Sequence, residues 1–200
     1  MRRIVALTGA GISQASGIPT YEEAPELRKL FTIDAWDRDP QKWLKQYQPI
    51  HARIQRAMPN DAHEILVEYE IPVITQNIDR LHAEAGTPSK ELVELHGRYD
   101  LFICTTCGKW GHDLTQTCYR CGKDTMRPNI VLYGEPILHY GVAADFIYHA
   151  DVLLVVGTSL ITYPANTLVS LAQHRGMDVI TVNNNAEKRL PDILEVLTTT

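Results

Sequence analysis

Residues 4–13 have the sequence Ile-Val-Ala-Leu-Thr-Gly-Ala-Gly-Ile-Ser, and this stretch decides the fold. A short apolar run that leads directly into a glycine turn is typical of a buried parallel strand followed by a helix. The turn carries the first two glycines of the dinucleotide fingerprint G-x-G-x-x-G, and Gln14 takes the place of the third. Because bare backbone amides at a helix start can hold a pyrophosphate, the stretch favours nucleotide binding. The acidic residue expected roughly twenty positions later is not clearly placed, which argues against an ordinary dehydrogenase.

Strands and helices alternate along the rest of the chain. Apolar runs predict further strands at 71–75, 92–95, 129–133, 152–156 and 179–182. Periodic apolar residues predict helices at 62–69, 140–149 and 165–174, and two helical stretches between residues 23 and 58. This alternation is typical of an α/β fold with a doubly wound parallel sheet.

Five of the predicted strands end in small or polar residues. In open α/β sheets ligands bind outside the carboxyl ends of the strands, so we expect these loops to converge on one site. A good turn sequence explains any one of them equally well, but five together favour a shared ligand. The loops are Gly9-Ala10-Gly11, Gln76-Asn77, His96-Gly97, Gly157-Thr158-Ser159 and Asn183-Asn184.

The four cysteines of the chain form two Cys-x-x-Cys pairs in one short segment. Ten residues separate Cys104 and Cys107 from Cys118 and Cys121, and a glycine follows each pair. This spacing lets four thiolates converge on a tetrahedral zinc ion. The alternatives are two disulfides or four unrelated buried thiols, and the lack of any other cysteine favours zinc. Since four thiolates leave no open position for water, we expect a structural ion.

The composition is that of an ordinary globular protein. The 200 residues include 44% hydrophobic and 22% charged side chains, enough for one main domain with insertions. A formal net charge of −5 without a long basic run weighs against a nucleic-acid-binding surface and suits cationic partners such as lysine-bearing peptides. No apolar run resembles a membrane span or a signal peptide. We therefore expect a cytoplasmic protein that binds neither nucleic acid nor membrane.

Short motifs follow one another in a fixed order along nearly the whole chain. They are Gly9-Ala10-Gly11-Ile12-Ser13, Ser16-Gly17-Ile18-Pro19, Pro59-Asn60 with Ala62-His63, residues 75–82, Leu95-His96-Gly97, the four cysteines, Arg127-Pro128, Tyr133-Gly134-Glu135 and Gly157-Thr158-Ser159-Leu160. In content and order the series resembles the sirtuins, a family of NAD-dependent protein deacylases. Chance agreement of so many ordered blocks is remote.

The resemblance implies a domain organisation. It implies a large Rossmann-like NAD-binding domain formed by residues 1–20, 61–98 and 127–200. Residues 21–60 would form a helical insertion with the cofactor loop, and residues 99–126 a small zinc-binding module. NAD and the acyl-lysine would enter the cleft between the domains from opposite sides.

The same resemblance implies where NAD lies. The glycine turn would face the diphosphate and the nicotinamide ribose, the loop at 76–79 would hold that ribose and the carboxamide, and the last two loops would bind phosphate and the adenosine ribose. Carried over by position, the contacts are Gly9, Ala10, Gly11, Ser13, Tyr21, Gln76, Asn77, Asp79, Gly157, Thr158, Ser159 and Asn183.

His96 would be the general base, with Asn77 and Asp79 completing the implied catalytic set. In the family's reaction the acyl oxygen attacks the anomeric carbon as nicotinamide leaves, and a histidine then draws a proton from the ribose hydroxyls. An imidazole titrates near neutral pH and suits this task. A core or capping histidine is the alternative, but the position after a strand and before a glycine favours the base. The implied substrate-binding residues are Tyr47, Val131, Tyr133, Gly134 and Glu135.

Two adjacent positions depart from the family motif. Where the motif has phenylalanine and then arginine, this chain has Tyr21 and Glu22. Tyr21 keeps a ring that can shield the reactive sugar from returning nicotinamide. Glu22 reverses a charge beside an anionic cofactor, which costs on the order of several kcal/mol if nothing compensates it. Arg28 or Lys29 in the following helix are the candidates for that compensation.

A further departure concerns the acyl group. Sirtuins that remove acidic acyl groups use a tyrosine and, three residues on, an arginine. Tyr47 fits the tyrosine, but Ile50 takes the position of the arginine. With no guanidinium to pair a distal carboxylate, acidic acyl groups should be poor substrates, and acetyl or another neutral group should be preferred.

The expected function is therefore that of an NAD-dependent protein lysine deacylase (deacetylase), which releases nicotinamide and O-acyl-ADP-ribose. Its co-substrate would be NAD, its partner an acyl-lysine protein or peptide, and its metal one structural zinc ion. The first alternative is a protein ADP-ribosyltransferase or NAD hydrolase on the same scaffold, for which Glu22 leaves room. The second is a non-catalytic sensor of NAD or ADP-ribose.

Overall fold

In the computed structural model of this protein, residues 2–111, 117–159 and 165–199 are described. The strands are β1 Ile4–Thr8, β2 Val73–Thr75, β3 Leu92–Glu94, β4 Gly97–Cys104, β5 Trp110–Gly111, β6 Met126–Ile130, β7 Val152–Val156 and β8 Asp178–Val182. The α-helices are α1 Glu26–Leu30, α2 Ile33–Arg38, α3 Pro40–Ile54, α4 Asp61–Glu68, α5 Leu81–Ala85, α6 Tyr140–Tyr148, α7 Ala165–His174 and α8 Ala186–Thr199. None of these helices combines the length and the hydropathy that crossing a membrane requires.

Five parallel strands form the main sheet in the order β3-β2-β1-β7-β8. This finding confirms the predicted doubly wound sheet. All residues of β1 and β7 are buried, as the uninterrupted apolar runs in both strands require. The strand order reverses between β1 and β7, and an open sheet of this kind binds its ligand at such a point.

Alternate residues of the central strands enter two separate cores. Ile4 and Ala6 of β1 join one core with residues of α4 and α8, while Val5 and Leu7 join the other with residues of α6 and α7. Side chains of successive strand residues point to opposite faces, so an apolar run of this length needs helices on both faces. The strand therefore positions the glycine turn that follows it at the edge of a fully covered sheet.

The helical insertion differs from the prediction in one place. A single helical stretch was expected from Leu27 to Trp36, but the structure ends α1 at Leu30 and starts α2 at Ile33. Thr32 between them is extended, and its side chain accepts a hydrogen bond from the amide of Ala35 (3.2 Å), which caps α2. Local capping therefore divides a segment whose apolar spacing is continuous.

A second, smaller sheet has the antiparallel order β5-β4-β6. The strand predicted at 129–133 is displaced toward the N-terminus, because β6 pairs with β4 from Met126 opposite Cys104 to Ile130 opposite Gly97. The long strand β4 was not predicted. It alternates buried residues with half-buried polar ones such as Asp100 and is too weakly apolar to stand out in sequence.

Two buried histidines lie next to each other with their rings inclined by 59°. The ring centroids of His63 and His82 are 4.8 Å apart. His63 Nδ1 accepts from the Asn60 amide (3.3 Å) and so helps to cap α4, while His82 Nε2 bonds to the Thr8 hydroxyl (2.9 Å). Burial lowers the pKa of His63 to about 4 and that of His82 well below its ordinary value. Both rings are therefore neutral in the folded protein at neutral pH.

We expect the free energy of unfolding to fall as the pH drops below about 6.5. There the unfolded chain binds protons that the buried rings in the folded state do not, so each histidine can remove up to about 1.4 kcal/mol per pH unit. Urea unfolding between pH 7.5 and 5 measures this slope. The His63→Gln variant should show a shallower slope, and an equal slope in both proteins would contradict the explanation.

Candidate active site

A cleft of about 990 Å³ opens at the carboxyl ends of the parallel strands. This volume lies near the upper end of the range of ligand pockets in proteins. All five predicted strand-end loops contribute to its lining, so their expected convergence is confirmed. The loop residues that line the cleft are Gly9, Ala10, Gly11, Gln76, Asn77, His96, Gly157, Thr158, Ser159, Asn183 and Asn184.

The loops that follow β1 and β7 touch each other through bare backbone. The Gly11 amide donates to the Gly157 carbonyl at 2.8 Å. A Cβ atom on Gly11 would lie 2.7 Å from the Gly157 Cα, and one on Gly157 would lie 2.3 Å from the Ile12 nitrogen. Neither position can carry a side chain without moving backbone. Gln76 adds a link on the same floor of the cleft, since its Nε2 donates to the Thr158 hydroxyl at 3.1 Å.

His96 is oriented by the neighbouring loop. Its Nδ1 lies 2.8 Å from the backbone carbonyl of Gln76, and a carbonyl can only accept, so Nδ1 carries the proton. Burial lowers the pKa of His96 below its ordinary value, so the ring is neutral at neutral pH. In that tautomer Nε2 is unprotonated and can take up a proton in the cleft, which the residue lines.

Asn77 and Asp79 are fixed by a buried hydrogen-bond network centred on Ser13. The Ser13 hydroxyl donates to Asp79 Oδ2 (2.7 Å) and accepts from Asn77 Nδ2 (3.1 Å), which also reaches the Gly9 carbonyl (3.1 Å). Burial raises the pKa of Asp79, while hydrogen bonds from Ser13 and from the Leu81 amide oppose that shift.

Ser13 itself lies beneath the cleft. Its side chain is fully buried, whereas Asn77 and Asp79 line the cleft. The resemblance implied direct contact between Ser13 and NAD. That contact stays a prediction, and in the structure Ser13 holds Asn77 and Asp79 by hydrogen bonds from behind the lining.

Residues 131–135 form the opposite wall. Val131, Tyr133, Gly134 and Glu135 all line the cleft, and their contact with a substrate stays a prediction. The Val131 amide donates to the His96 carbonyl (2.8 Å), which ties this wall to the histidine.

Glu135 has structural partners. Its carboxylate accepts from the buried Arg127 guanidinium (2.7 Å to each oxygen) and from the Leu132 amide (2.9 Å). With these bonds Glu135 holds the wall in shape.

Tyr47 lies outside the cleft lining, and the substrate-binding role that the resemblance implied stays a prediction. Its side chain is fully buried, with its ring stacked on Trp43 (centroids 5.0 Å apart) and edge-on to Phe31 (6.2 Å). The helix α3 turns Tyr47 into the core of the insertion, and the next turn presents Ile50 and Arg53 to the cleft. Tyr47 thus supports the wall from inside.

The turn that departs from the family motif lies at the mouth of the cleft. The Tyr21 ring is 6.1 Å from the Tyr133 ring, and burial raises the pKa of its hydroxyl, so Tyr21 stays protonated. Glu22 is exposed and lines the cleft. Arg28 also lines the cleft with its guanidinium over the Tyr21 ring, whereas Lys29 is exposed outside the lining.

Several lining residues were not indicated by the motifs. They are Gln14, Phe31, Arg53, Ile130, Leu132 and Ile137. The spacing of Ile50 and Arg53 on one face of a helix is a signal that could have found Arg53. The others needed the packing of the insertion against the sheet. Leu160, the last residue of one predicted motif, lies outside the described residues.

The four cysteines meet in the small sheet. Their sulfur atoms all lie within 4.8 Å of one another, with Cys104 to Cys121 at 3.7 Å and Cys107 to Cys118 at 3.6 Å. A disulfide bond needs about 2.05 Å, so all four thiols are free. Tetrahedral thiolates at about 2.3 Å from zinc are separated by about 3.8 Å. The donor set and its spacing fit one structural zinc ion.

Comparison with known proteins places the chain in a family. A model of the Sir2 family matches residues 9–164, more than half of the chain. The chain belongs to the Sir2 family. It is 38% identical to an NAD-dependent protein deacylase of Aquifex aeolicus, over 90% of this chain and 82% of the relative. It is 36% identical to NAD-dependent protein deacetylase 1 of Pyrobaculum aerophilum, over 90% of this chain and 78% of the relative.

Solved structures of Sir2 proteins share the fold. A complex of a Sir2 homolog with NAD superimposes with a TM-score of 0.88 at 28% identity, covering 98% of this chain and 90% of that one. Sir2Tm bound to a propionylated peptide superimposes with a TM-score of 0.85 at 29% identity, covering 100% and 94%. The Rossmann-like core and the cysteine module of this Sir2 chain thus have experimental counterparts.

The cleft of this Sir2 chain fits a dinucleotide. Backbone at Ala10 and Gly11 approaches the cleft without a bulky side chain, and such loops suit phosphate groups. Buried Asn77 and Asp79 are held by the network around Ser13, and because that network uses both hydrogens of Asn77 Nδ2, the two residues offer fixed acceptors, Asn77 Oδ1 and the Asp79 carboxylate, for sugar hydroxyls.

Chelation should destabilise this Sir2 chain. We expect metal analysis of fresh protein to find one zinc ion per chain, since four thiolates converge on one point. A strong chelator should lower the melting temperature, because metal binding contributes directly to folding. The variant Cys118→Ser should bind less zinc and melt lower without chelator. Full stability of zinc-free protein would refute a structural ion.

His96→Ala should lower kcat by about 10²- to 10⁴-fold, the usual contribution of a general base, with little change in NAD affinity. For the wild type, the rate should hold from neutral pH to below about 6.5, because burial lowers the pKa of His96, and should fall at more acidic pH. Steady-state kinetics from pH 5 to 8 test both points. His149→Ala, at an exposed histidine bonded to Asp145, is the control and should keep the wild-type rate.

Proposed function

We propose that this Sir2-family chain is an NAD-dependent protein lysine deacylase that releases nicotinamide and O-acyl-ADP-ribose. The observation that carries the proposal is His96, a half-buried neutral imidazole whose Nε2 has no hydrogen-bond partner among the described residues, in a cleft where the strand-end loops meet residues 131–135. A base of this kind is required wherever sugar hydroxyls must lose a proton near neutral pH. The relatives named above are NAD-dependent protein deacylases and deacetylases, which supports the same reaction.

Each group of residues has a proposed task in that reaction. The glycine turn and the loops after β7 and β8 bind NAD, and the wall that contains Val131 and Tyr133 receives the acyl-lysine. NAD supplies the sugar and the nicotinamide leaving group. His96 accepts a proton at Nε2, while Asn77 and Asp79 orient the ribose from positions fixed by the Ser13 network.

We propose a neutral acyl group as the preferred substrate. The walls carry apolar residues at Ile50, Ile78, Ile130 and Leu132, which suit a short acyl chain. Arg53 follows Ile50 on the same helix and also lines the cleft, but the position that the arginine of acidic-acyl sirtuins takes is occupied by Ile50. A distal carboxylate on the acyl group would therefore lack a free cation at Ile50.

Transfer of ADP-ribose to a protein or to water is the second candidate. Glu22 favours it, because an exposed carboxylate in the lining can orient another nucleophile.

For the chain as a whole we propose the predicted domain division: an NAD-binding domain of residues 1–20, 61–98 and 127–200, a helical insertion at 21–60 and a zinc-binding module at 99–126. Four free thiols suit a reducing compartment, and we propose a cytoplasmic location on that ground.

The product of the reaction decides between these functions. Incubation with NAD and an acetyl-lysine peptide should yield O-acetyl-ADP-ribose by mass spectrometry, whereas a succinyl-lysine peptide should react at least about tenfold more slowly because no guanidinium pairs its carboxylate. Nicotinamide release without any acyl peptide would instead indicate hydrolysis or transfer. NAD binding without either product would indicate a sensor. His96→Ala serves as the inactive control.

A further inference from the structure

The charges along the cleft are unfavourable for an anionic cofactor. The acidic side chains of the described lining are Glu22, Glu26, Asp79 and Glu135, and its cationic side chains are Arg28 and Arg53. Glu135 is already paired with the buried Arg127. The three remaining acids outnumber the two arginines, and a dinucleotide adds a negative charge on each phosphate. At short range in a partly desolvated cleft such repulsion is costly, so the position of each cation matters.

Arg28 is exposed and lines the cleft, and its charge is available. Its guanidinium carbon lies 5.8 Å from the centre of the Tyr21 ring, a contact that favours one orientation of a long side chain. Among the residues that the structure describes, no carboxylate lies within ion-pair distance of Arg28. The guanidinium is therefore positioned and unneutralised.

Arg53 differs from Arg28 in this respect. The Glu23 carboxyl has a lowered pKa, mainly through the hydrogen bond from the Thr20 amide (2.9 Å) and more weakly through the charge of Arg53. Arg53 thus has an acidic side chain within electrostatic range, although the two form no ion pair among the residues that the structure describes. Thr20 and Glu23 also bond each other reciprocally, because the Glu23 amide donates to the Thr20 hydroxyl (3.4 Å). That exchange closes the turn that carries Tyr21 and Glu22.

We propose that Arg28 supplies the charge that binds the diphosphate of the dinucleotide and so offsets Glu22. The inference rests on the proposed function, since it deepens the account of the same cleft. A guanidinium presents a planar fork of donors that matches two phosphate oxygens, and it stays protonated at any pH the protein tolerates. The start of the cofactor loop carries the negative charge of Glu22, and Arg28 in α1 supplies the positive charge that offsets it.

The test is the affinity for ADP-ribose, which carries the diphosphate and needs neither acyl peptide nor turnover. Calorimetry on the full chain should show that Arg28→Gln weakens binding by about tenfold to a hundredfold, the usual effect of losing a charge-assisted hydrogen bond. The dependence of the affinity on salt should become shallower, because one fewer charge faces the ligand. Lys29→Gln is the matched control, one residue away and outside the lining, and should bind like the wild type.

Further variants distinguish a loss of charge from a misfolded loop. Arg28→Lys should retain part of the affinity, and Glu22→Gln should bind ADP-ribose more tightly than the wild type. Equal affinities of Arg28→Gln and Lys29→Gln would overturn the proposal. So would a weakened Arg28→Gln with an unchanged salt dependence, or a larger loss in Arg53→Gln.

The outcome is separable from that of the proposed function. A wild-type protein that binds ADP-ribose through Arg28 but forms no O-acetyl-ADP-ribose would refute deacylation and leave the role of Arg28 standing. If the Arg28→Gln variant deacylates normally and binds ADP-ribose as the wild type does, the role of Arg28 is refuted and deacylation stands.

Discussion

The contact between the Gly11 amide and the Gly157 carbonyl, at 2.8 Å, is the constraint on which the site depends. It joins the loops after β1 and β7, the two strands between which the order of the sheet reverses. Because neither glycine has space for a Cβ, the two loops meet backbone to backbone, and the floor of the cleft is made of main chain. A side chain at either position would push the loops apart and move every group they carry.

Around that floor, most polar groups of the site are held by other protein groups. Ser13 orients Asn77 and Asp79, the Gln76 carbonyl selects the tautomer of His96, and Arg127 fixes Glu135. The Ser13 bonds are buried and the other two are partly buried, and in such surroundings hydrogen bonds are strong and a misplaced polar group is costly. Such preorganisation means that little rearrangement is needed when a proton moves. By contrast, neither Glu22 nor Arg28, at the mouth of the cleft, takes part in an ion pair among the described residues. Glu22 is also the position at which the chain lacks the arginine of the family motif.

The elements that could be predicted were those whose signal is local. Runs, periods and spacings of a few residues predicted the strands β1 and β7 and the helices α4, α6 and α7. Spacing of the same kind predicted that the two Cys-x-x-Cys pairs come together. The strand β4 escaped prediction because its pattern is half polar, and the strand expected at 129–133 was displaced by its pairing with β4. Motif matching also predicted contacts for Ser13 and Tyr47, and the structure buries both side chains outside the lining of the cleft. A motif specifies which residue occurs at a position, but not whether its side chain faces the ligand or supports one that does.

Residue types at short, fixed intervals were enough to predict the α/β class, the convergence of the strand-end loops and the zinc ligands, whereas the role of His96 as general base was implied by the family resemblance and stays a prediction. Only the tertiary structure decided that Nδ1 of His96 carries the proton, that Glu135 is engaged by Arg127, and that Arg28 rather than Lys29 lines the cleft. These features depend on contacts between segments far apart in the chain. The direction of a side chain there is set by packing and by hydrogen-bond partners that no local pattern contains.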